Sequence, residues 1–375
     1  MSETADVVIV GGGLHGCSAA LHLARRGVTA LVIEKDHVGR HASSVNAGGV
    51  RRLGRDLAEV PLSAASIELW NDIEDLVDDD CGFHATGQVK IAETEEELAA
   101  LRARAAQVRE LGFDHEEIVD QATLRDLLPA VAPHCVGGMY VAGDGYADPA
   151  RTTAAFRRKG ESLGVRFFEG VTATGVERTD GVWRVSTNDG TFEGPVLINC
   201  AGAWADRIAA ALGETVPLTV LAAMLMVTAP MPRFIEPVVG SQGRKLSFKQ
   251  AANGTVIIGG GHRGGAYRDE NRTTIDFGGL AISAKTASIL FPVMATASIV
   301  RCWAGLEAFM PDGIPVIGPS AAEDAYHAFG YCGHGFQLGP IVGSMMADLV
   351  TTGGTNLPVH PFRIGRFQDA AESGA

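Results

Sequence analysis

Gly11, Gly13 and Gly16 stand in the pattern GxGxxG, and Glu34 follows 23 positions after the first of them. This spacing suits a dinucleotide. The first glycine permits a tight turn, the second lets the backbone approach a pyrophosphate, and the third lets a helix pack closely on a strand. N–H groups at the helix start then face the anion, and the later carboxylate accepts from ribose hydroxyls. The chemistry requires particular elements around it, and the sequence supplies them. Val7–Val10 is a short, apolar, β-branched run of the kind that forms a buried parallel strand. Residues 17–26 have helical spacing and end at Gly27, a C-terminal cap, and Leu31–Glu34 reads as a second strand. Together they make a right-handed βαβ unit with Leu14 and His15 inside the turn. The alternative is a glycine-rich turn of some other α/β protein, with Glu34 a solvated strand end.

The motif does not choose between FAD and NAD. Two later segments favour FAD. Asn199–Trp204 (Asn-Cys-Ala-Gly-Ala-Trp) is a strand end followed by small residues, which let a second backbone segment approach a cofactor. Gly333–Gln337 (Gly-His-Gly-Phe-Gln) precedes a helix, and a helix start aimed at the pyrimidine end of an isoalloxazine stabilises reduced flavin.

The intervening chain reads as mixed α/β. Residues 39–54 form a loop, 56–80 and 95–111 are helical, and 171–193 make an antiparallel meander with a turn at Asn188–Gly190. Residues 216–300 mix strands with one helix. Strands at 196–200, 315–318 and 325–330 precede a last helix over 338–350. The stretch 280–300 is the most apolar, but Lys285 and Pro292 make it a buried helix rather than a membrane span.

The 375 residues are 46% hydrophobic and 20% charged, which excludes a disordered chain. A net charge of −13 argues against nucleic acid or anionic lipid as partner, since both need basic surface, but leaves room for a small anion. The six cysteines form no CxxC and no metal-binding spacing, so no metal is expected, and reduced thiols suit a cytoplasmic protein. The first six residues lack the basic region of a signal peptide.

The ordered set of Gly11–Gly16 with Glu34, Ser43–Gly49, Cys200–Trp204, Trp303–Leu306, Pro311–Gly318 and Gly333–Phe336 resembles the D-amino-acid oxidase superfamily of FAD enzymes over nearly the whole chain. Within it the chain is most similar to the branch of sarcosine oxidase, glycine oxidase, hydroxyproline dehydrogenase and opine oxidase. The resemblance implies a Rossmann-type FAD-binding domain (1–80, 145–215 and 303–375) and a mixed-sheet α+β substrate domain (81–144 and 216–302). It implies hydride transfer from an amino acid α-carbon to flavin N5, with the imine hydrolysing to an oxo acid and an amine. It places Lys35, Ser43 and Ser44 near the dinucleotide, Val171 at the adenine, and Asn46, Ala47, Gly48 and Gly49 along the isoalloxazine. Ala201, Gly202, Trp204, Gly305, Gly333, His334, Gly335, Phe336 and Gln337 complete the expected cofactor contacts. FAD is expected to be non-covalent, because Phe309 and Met310 stand where the attachment cysteine of monomeric sarcosine oxidases would be.

The same resemblance offers Arg51 or Arg52 as the carboxylate-binding arginine, and His262 as a proton acceptor or carboxylate partner. It also exposes departures. Gln337 replaces the lysine that follows Gly-His-Gly-Phe in sarcosine oxidases, and Glu307 replaces the arginine that follows Trp-Ala-Gly-Leu in glycine oxidases. Glu307 is therefore expected to face the substrate and accept from a cationic or hydroxylated substituent, or else to pair with Arg301 or Arg244. Ile258 stands where sarcosine oxidases use a lysine to activate oxygen, which points to a dehydrogenase or to a subunit passing electrons onward. These features fit an opine or another bulky N-substituted amino acid better than glycine or sarcosine, and favour a secondary or N-substituted amino acid as substrate. Deamination of a primary D-amino acid or glycine, a non-catalytic electron-relay subunit and a nicotinamide dehydrogenase are the rival readings. A homo-oligomer and a partner electron-transfer subunit are both left open.

Overall fold

The computed structural model describes residues 2–367. Its centre is a six-stranded sheet in the order Val316–Pro319, Ala325–Phe329, Val196–Asn199, Val7–Val10, Ala30–Glu34 and Arg166–Glu169. Val7–Val10 pairs parallel with strands on both sides. Only Val316–Pro319 runs antiparallel to its neighbour. The central strands are apolar throughout because both faces are covered. Val7 and Ile9 pack against helices Leu14–Ala24 and Gly339–Thr352. Val8 and Val10 pack against the meander Ala173–Thr179, Val182–Thr187 and Gly190–Gly194 through Trp183, Val185 and Phe192. Ser2–Thr4 adds a parallel edge to the meander.

A second, larger sheet has the order Ile299–Phe309, Thr219–Thr228, Val256–Tyr267, Ser247–Gln250, Val238–Ser241, Gln88–Ala92, Gly137–Val141 and Glu117–Asp120. One face buries Val89, Ile91, Phe248 and Ile258 beneath helix Phe277–Leu290, which contributes Leu280 to the same core. The other face carries the alternate residues, Gln88, Lys90, Val238, Gly240 and Ser247, toward the first sheet. This period-two division makes one side core and the other a binding wall.

The structure corrects three readings. The strand Ile299–Phe309 pairs along its length with Thr219–Thr228, so 303–309 belong to the large sheet and the expected boundary at 303 falls inside a strand. The loop expected over 39–54 holds a helical turn, Ala42–Val45, and a short strand, Gly49–Val50, paired with Gly145–Tyr146. In 280–300 the helix stops at Leu290, ahead of Pro292, and Ile282 and Val300 are exposed. No described helix is long and apolar enough to cross a membrane.

Candidate active site

A continuous cavity of about 510 Å³ runs from the Gly11–Gly16 turn, between the two sheets, to the Gln88–Ala92 strand. At the first end the glycines are a steric necessity. A Cβ on Gly11, whose φ is +111°, would lie 2.3 Å from the Cys200 carbonyl oxygen, and one on Gly16 would lie 2.0 Å from the Gly11 carbonyl oxygen. Helix Leu14–Ala24 begins here with no side-chain cap bond and no acidic residue in its first turn, which leaves its positive end toward the cavity. The Leu14 amide donates to Ser43 Oγ at 2.9 Å. Glu34 accepts from the Gly12 amide at 2.8 Å and from the Asp36 amide at 2.9 Å, and burial holds its carboxyl above the usual range. The Val171 amide donates to the Glu34 carbonyl at 2.9 Å.

Around this end Lys35 bonds Asp36 and Asn271 and lies 3.9 Å over the Trp204 ring. Asn271 follows the Val256–Tyr267 strand of the large sheet, so this network ties the two sheets together across the cavity. His15 stacks on Tyr331 at 3.7 Å, and burial lowers its pKa to about 3, so it is neutral. Its Nε2 is buried without a partner among the described residues, and His15 lines the cavity wall, as a group awaiting a ligand would.

The opposite end is cationic. Arg51 and Lys90 both line it. Arg51 spends one N–H on the Leu53 carbonyl at 2.5 Å. Burial and then Arg51 push the Lys90 pKa below its ordinary value, and Lys90 has no hydrogen bond or ion pair among the described residues. Behind them lies Arg55, 2% exposed, donating to the carbonyls of Arg51 and His334 and to Gln337 Oε1. Burial, then the neighbouring Arg51, lowers its pKa to about 9. The acids nearby are engaged elsewhere. Asp144 holds Arg52 and the Leu53 amide, Glu116 holds Arg104 and the Gly54 amide, and Glu59 holds His334.

This combination of a dinucleotide cradle and a cationic pocket has counterparts. The family described as DAO, FAD dependent oxidoreductase, matches residues 6–349. The chain belongs to the DAO family of FAD-dependent oxidoreductases. It is 27% identical to a glycine oxidase of Geobacillus kaustophilus, over 98% of each chain. It is 25% identical to the sarcosine oxidase subunit beta of Rhizobium meliloti, over 97% of this chain and 88% of that one. Among solved structures, the L-proline dehydrogenase of P. horikoshii superposes with a TM-score of 0.91 at 28% identity, covering 99% of both chains.

In this FAD-dependent oxidoreductase, the expected cofactor residues Gly11, Gly13, Leu14, His15, Glu34, Lys35, Ser43, Asn46, Ala47, Gly49, Val171, Ala201, Gly202, Trp204, Gly333, His334, Gly335 and Phe336 all line the cavity. The tight glycine turn, the anion-facing helix start and the unpartnered His15 nitrogen fit a dinucleotide. Gly16, Ser44, Gly48 and Gly305 stand behind the wall instead. A Cβ on Gly48 would strike the Ala147 carbonyl at 2.1 Å. One on Gly305 would strike Val45 at 2.3 Å, and one on Gly39 would meet Ser44 Oγ at 2.4 Å. These positions let supporting segments approach one another.

Of the expected substrate residues, Arg51 and Glu307 line the cavity, and Arg52, His262 and Gln337 do not. Arg52 turns away from the cavity, with Nε 3.2 Å from the fully buried Asp144, so of this pair it is Arg51 that lines the cavity. His262 is not in the cavity wall. A strand irregularity turns it toward the start of helix Phe277–Leu290, where its Cβ would meet a Cβ on Gly279 at 3.0 Å. Gln337 is fully buried: Nε2 donates to the Ser63 carbonyl, and its backbone carbonyl accepts from Ser66 and Trp70. Glu307 does line the cavity, but Oε1 accepts from the Gly333 amide at 2.8 Å. Burial raises its pKa against the opposing pull of Arg263. Its expected partners are elsewhere, Arg244 on Glu93 and Arg301 beside the Trp303 ring.

Ile258 is buried in the large-sheet core, away from the cavity. On the opposite face of that sheet Lys249 lies 4.2 Å over the Tyr146 ring, and burial lowers its pKa to about 7. Sequence reasoning missed Lys90, Lys249 and Arg55. The alternation in Gln88-Val-Lys-Ile-Ala92 was the available signal for Lys90, since it puts Gln88 and Lys90 on one face.

Proposed function

We propose that this chain oxidises the Cα–N bond of a secondary or N-substituted amino acid. The observation that carries the reading is Arg51, an arginine without a carboxylate partner among the described residues, at the far end of a cavity that begins in a dinucleotide cradle. Bound FAD supplies the acceptor for the hydride that leaves the α-carbon. Arg51 holds the substrate carboxylate, for which a guanidinium is geometrically matched. The positive field of Arg51 and Lys90 disfavours a substrate ammonium, so the amine binds neutral, with its lone pair available as the C–H bond breaks. Loss of the hydride and of the N–H proton leaves an imine. Water then adds to the imine carbon, and the adduct splits into an oxo acid and an amine.

Two of the three relatives named above support the nitrogen side of this reading, since sarcosine and proline are both secondary amino acids, whereas the glycine oxidase is named for a primary one. Glu307 supports it further. Where glycine oxidases carry an arginine, this chain has an acid bonded to the Gly333 amide, so a glycine-type clamp is not available there. A relative named as a subunit keeps a partner for electron transfer within the proposal.

The test is anaerobic bleaching of the flavin band by a panel holding sarcosine, proline, N-carboxyalkyl amino acids, glycine and D-alanine. Secondary amino acids are expected to bleach it. Bleaching confined to glycine or D-alanine would overturn the reading in favour of primary-amine deamination.

A further inference from the structure

We propose that Glu307 takes the proton from the substrate nitrogen, through its free carboxylate oxygen, before the hydride leaves the α-carbon. The inference rests on the proposed C–N oxidation and supplies the proton acceptor that this reaction needs.

Glu307 stands on the Ile299–Phe309 strand, half-buried, and lines the cavity. Its Oε1 accepts from the Gly333 amide at 2.8 Å, which fixes the carboxyl against a segment that lines the same cavity. Its Oε2 has no hydrogen bond or ion pair among the described residues. One oxygen is an anchor, and the other is open to a ligand.

The other candidate acceptors in the cavity wall are engaged or unsuited. Glu34 is the second acid there, and its two oxygens accept from the Gly12 and Asp36 amides. His41 bonds Asp36, and His334 bonds Glu59. His15 lies in the cradle, and burial lowers its pKa to about 3, too low to hold a proton at neutral pH.

The groups around Glu307 set the direction of transfer. Burial raises its pKa, and Arg263, 4.2 Å over the Phe309 ring, pulls the other way and keeps the carboxyl ionisable. Cys332, beside Gly333, is a neutral thiol with its pKa raised to about 11. Arg51 and Lys90, in the same cavity wall, favour the neutral form of a substrate amine. A carboxyl held high and an ammonium held low let the proton pass from nitrogen to oxygen. One N–H bond breaks and one O–H bond forms. The nitrogen keeps its lone pair, which becomes the C=N bond as the α-hydride and its electron pair pass to bound FAD. The substrate is thereby oxidised to the protonated imine and the FAD reduced.

The test follows anaerobic bleaching of the FAD-loaded enzyme by sarcosine and proline, as a second-order rate at low substrate, across pH. In the unsubstituted enzyme the rate should be level above the Glu307 ionisation, where carboxylate meets ammonium. Glu307→Gln keeps an oxygen for the Gly333 amide but is no base. It should slow bleaching about 100-fold near neutral pH and make the rate climb about tenfold per pH unit, since only amine already neutral in solution then reacts. Glu307→Asp keeps the base on a shorter arm and should lose less than Glu307→Gln. A carboxyl that only anchored Gly333 would give the opposite order, and that order, or a level profile in Glu307→Gln, would overturn the inference. If Glu307→Gln does not retain flavin, Glu307→Asp decides: a level profile supports the inference and a climbing one overturns it. Methylthioacetate, a carboxylate without nitrogen, is titrated by its perturbation of the flavin absorbance. It should bind Glu307→Gln at least as tightly as the parent, and a loss matching that in rate would show a collapsed site and overturn the inference. Flavin that no amine bleaches at any pH would retire the C–N oxidation and this inference with it. Bleaching unimpaired in Glu307→Gln would retire the inference alone.

Discussion

Arg55 Nη2 donates to Gln337 Oε1 at 3.0 Å, and both side chains are buried behind the cavity wall. Through this contact and the His334 carbonyl, the segment that carries Arg51 is fixed to the C-terminal segment that carries Gly333–Phe336. Gln337 therefore joins two walls. Replacing it with lysine, the residue sarcosine oxidases carry there, sets an ammonium against a buried guanidinium. Gln337→Lys is expected to destabilise the protein by about 3 kcal/mol or more, because it breaks a buried network and adds an unpaired charge. Denaturant unfolding measures this, and unchanged stability would refute the assignment.

Arg51 and Arg52 are adjacent in sequence, yet Arg51 lines the cavity and Arg52 pairs with Asp144. Arg51→Gln is expected to raise KM for the amino acid about 10- to 100-fold, the usual loss for a charge-assisted pair, with little change in stability. Arg52→Gln should lower stability by leaving Asp144 unpaired, and leave KM within about twofold. Steady-state kinetics beside thermal unfolding separate the two, and a reversed pattern would return Arg52 to the pocket.

Lys249 predicts a pH dependence of stability. Burial lowers its pKa from the ordinary 10.5 to about 7 in the folded chain. Between those values the unfolded chain holds a proton that the folded chain lacks, so this group makes stability rise with pH. Below pH 7 both states are protonated and the penalty is at its full value. Lys249→Met should therefore stabilise the protein at pH 7 by about 2–5 kcal/mol and flatten the rise toward pH 10. A variant whose unfolding curves keep the parent's slope would show that Lys249 is not the group responsible.

Cys332 is the cysteine nearest the Gly333–Phe336 segment. Its thiol is hydrogen-bonded, accepting from the Met310 amide, and burial raises its pKa to about 11. It is a poor nucleophile in that state, because the thiolate is the reactive form. Acid precipitation is expected to release all of the flavin into solution. Yellow colour kept by the pellet, and lost in Cys332→Ser, would show covalent attachment instead.

The sequence by itself determined the cradle and much of the fold. Gly11, Gly13, Gly16 and Glu34 act within one βαβ unit, where spacing along the chain is also spacing in space. The apolar strands were legible because a strand covered on both faces leaves an uninterrupted run, and the helix 95–110 because its Leu98, Leu101, Ala105 and Val108 recur at helical intervals. The substrate end was decided only by tertiary structure. Arg51 and Arg52 differ by which one meets Asp144, 92 residues away. His262 was turned out of the wall by an irregularity in strand pairing, and Gln337 was drawn inward by Ser63, Ser66 and Trp70 from a helix far earlier in the chain. Lys90 reached the cavity wall because the large sheet brings its strand against the Arg51 segment. A local pattern fixes which face a side chain is on, and long-range pairing fixes what that face meets.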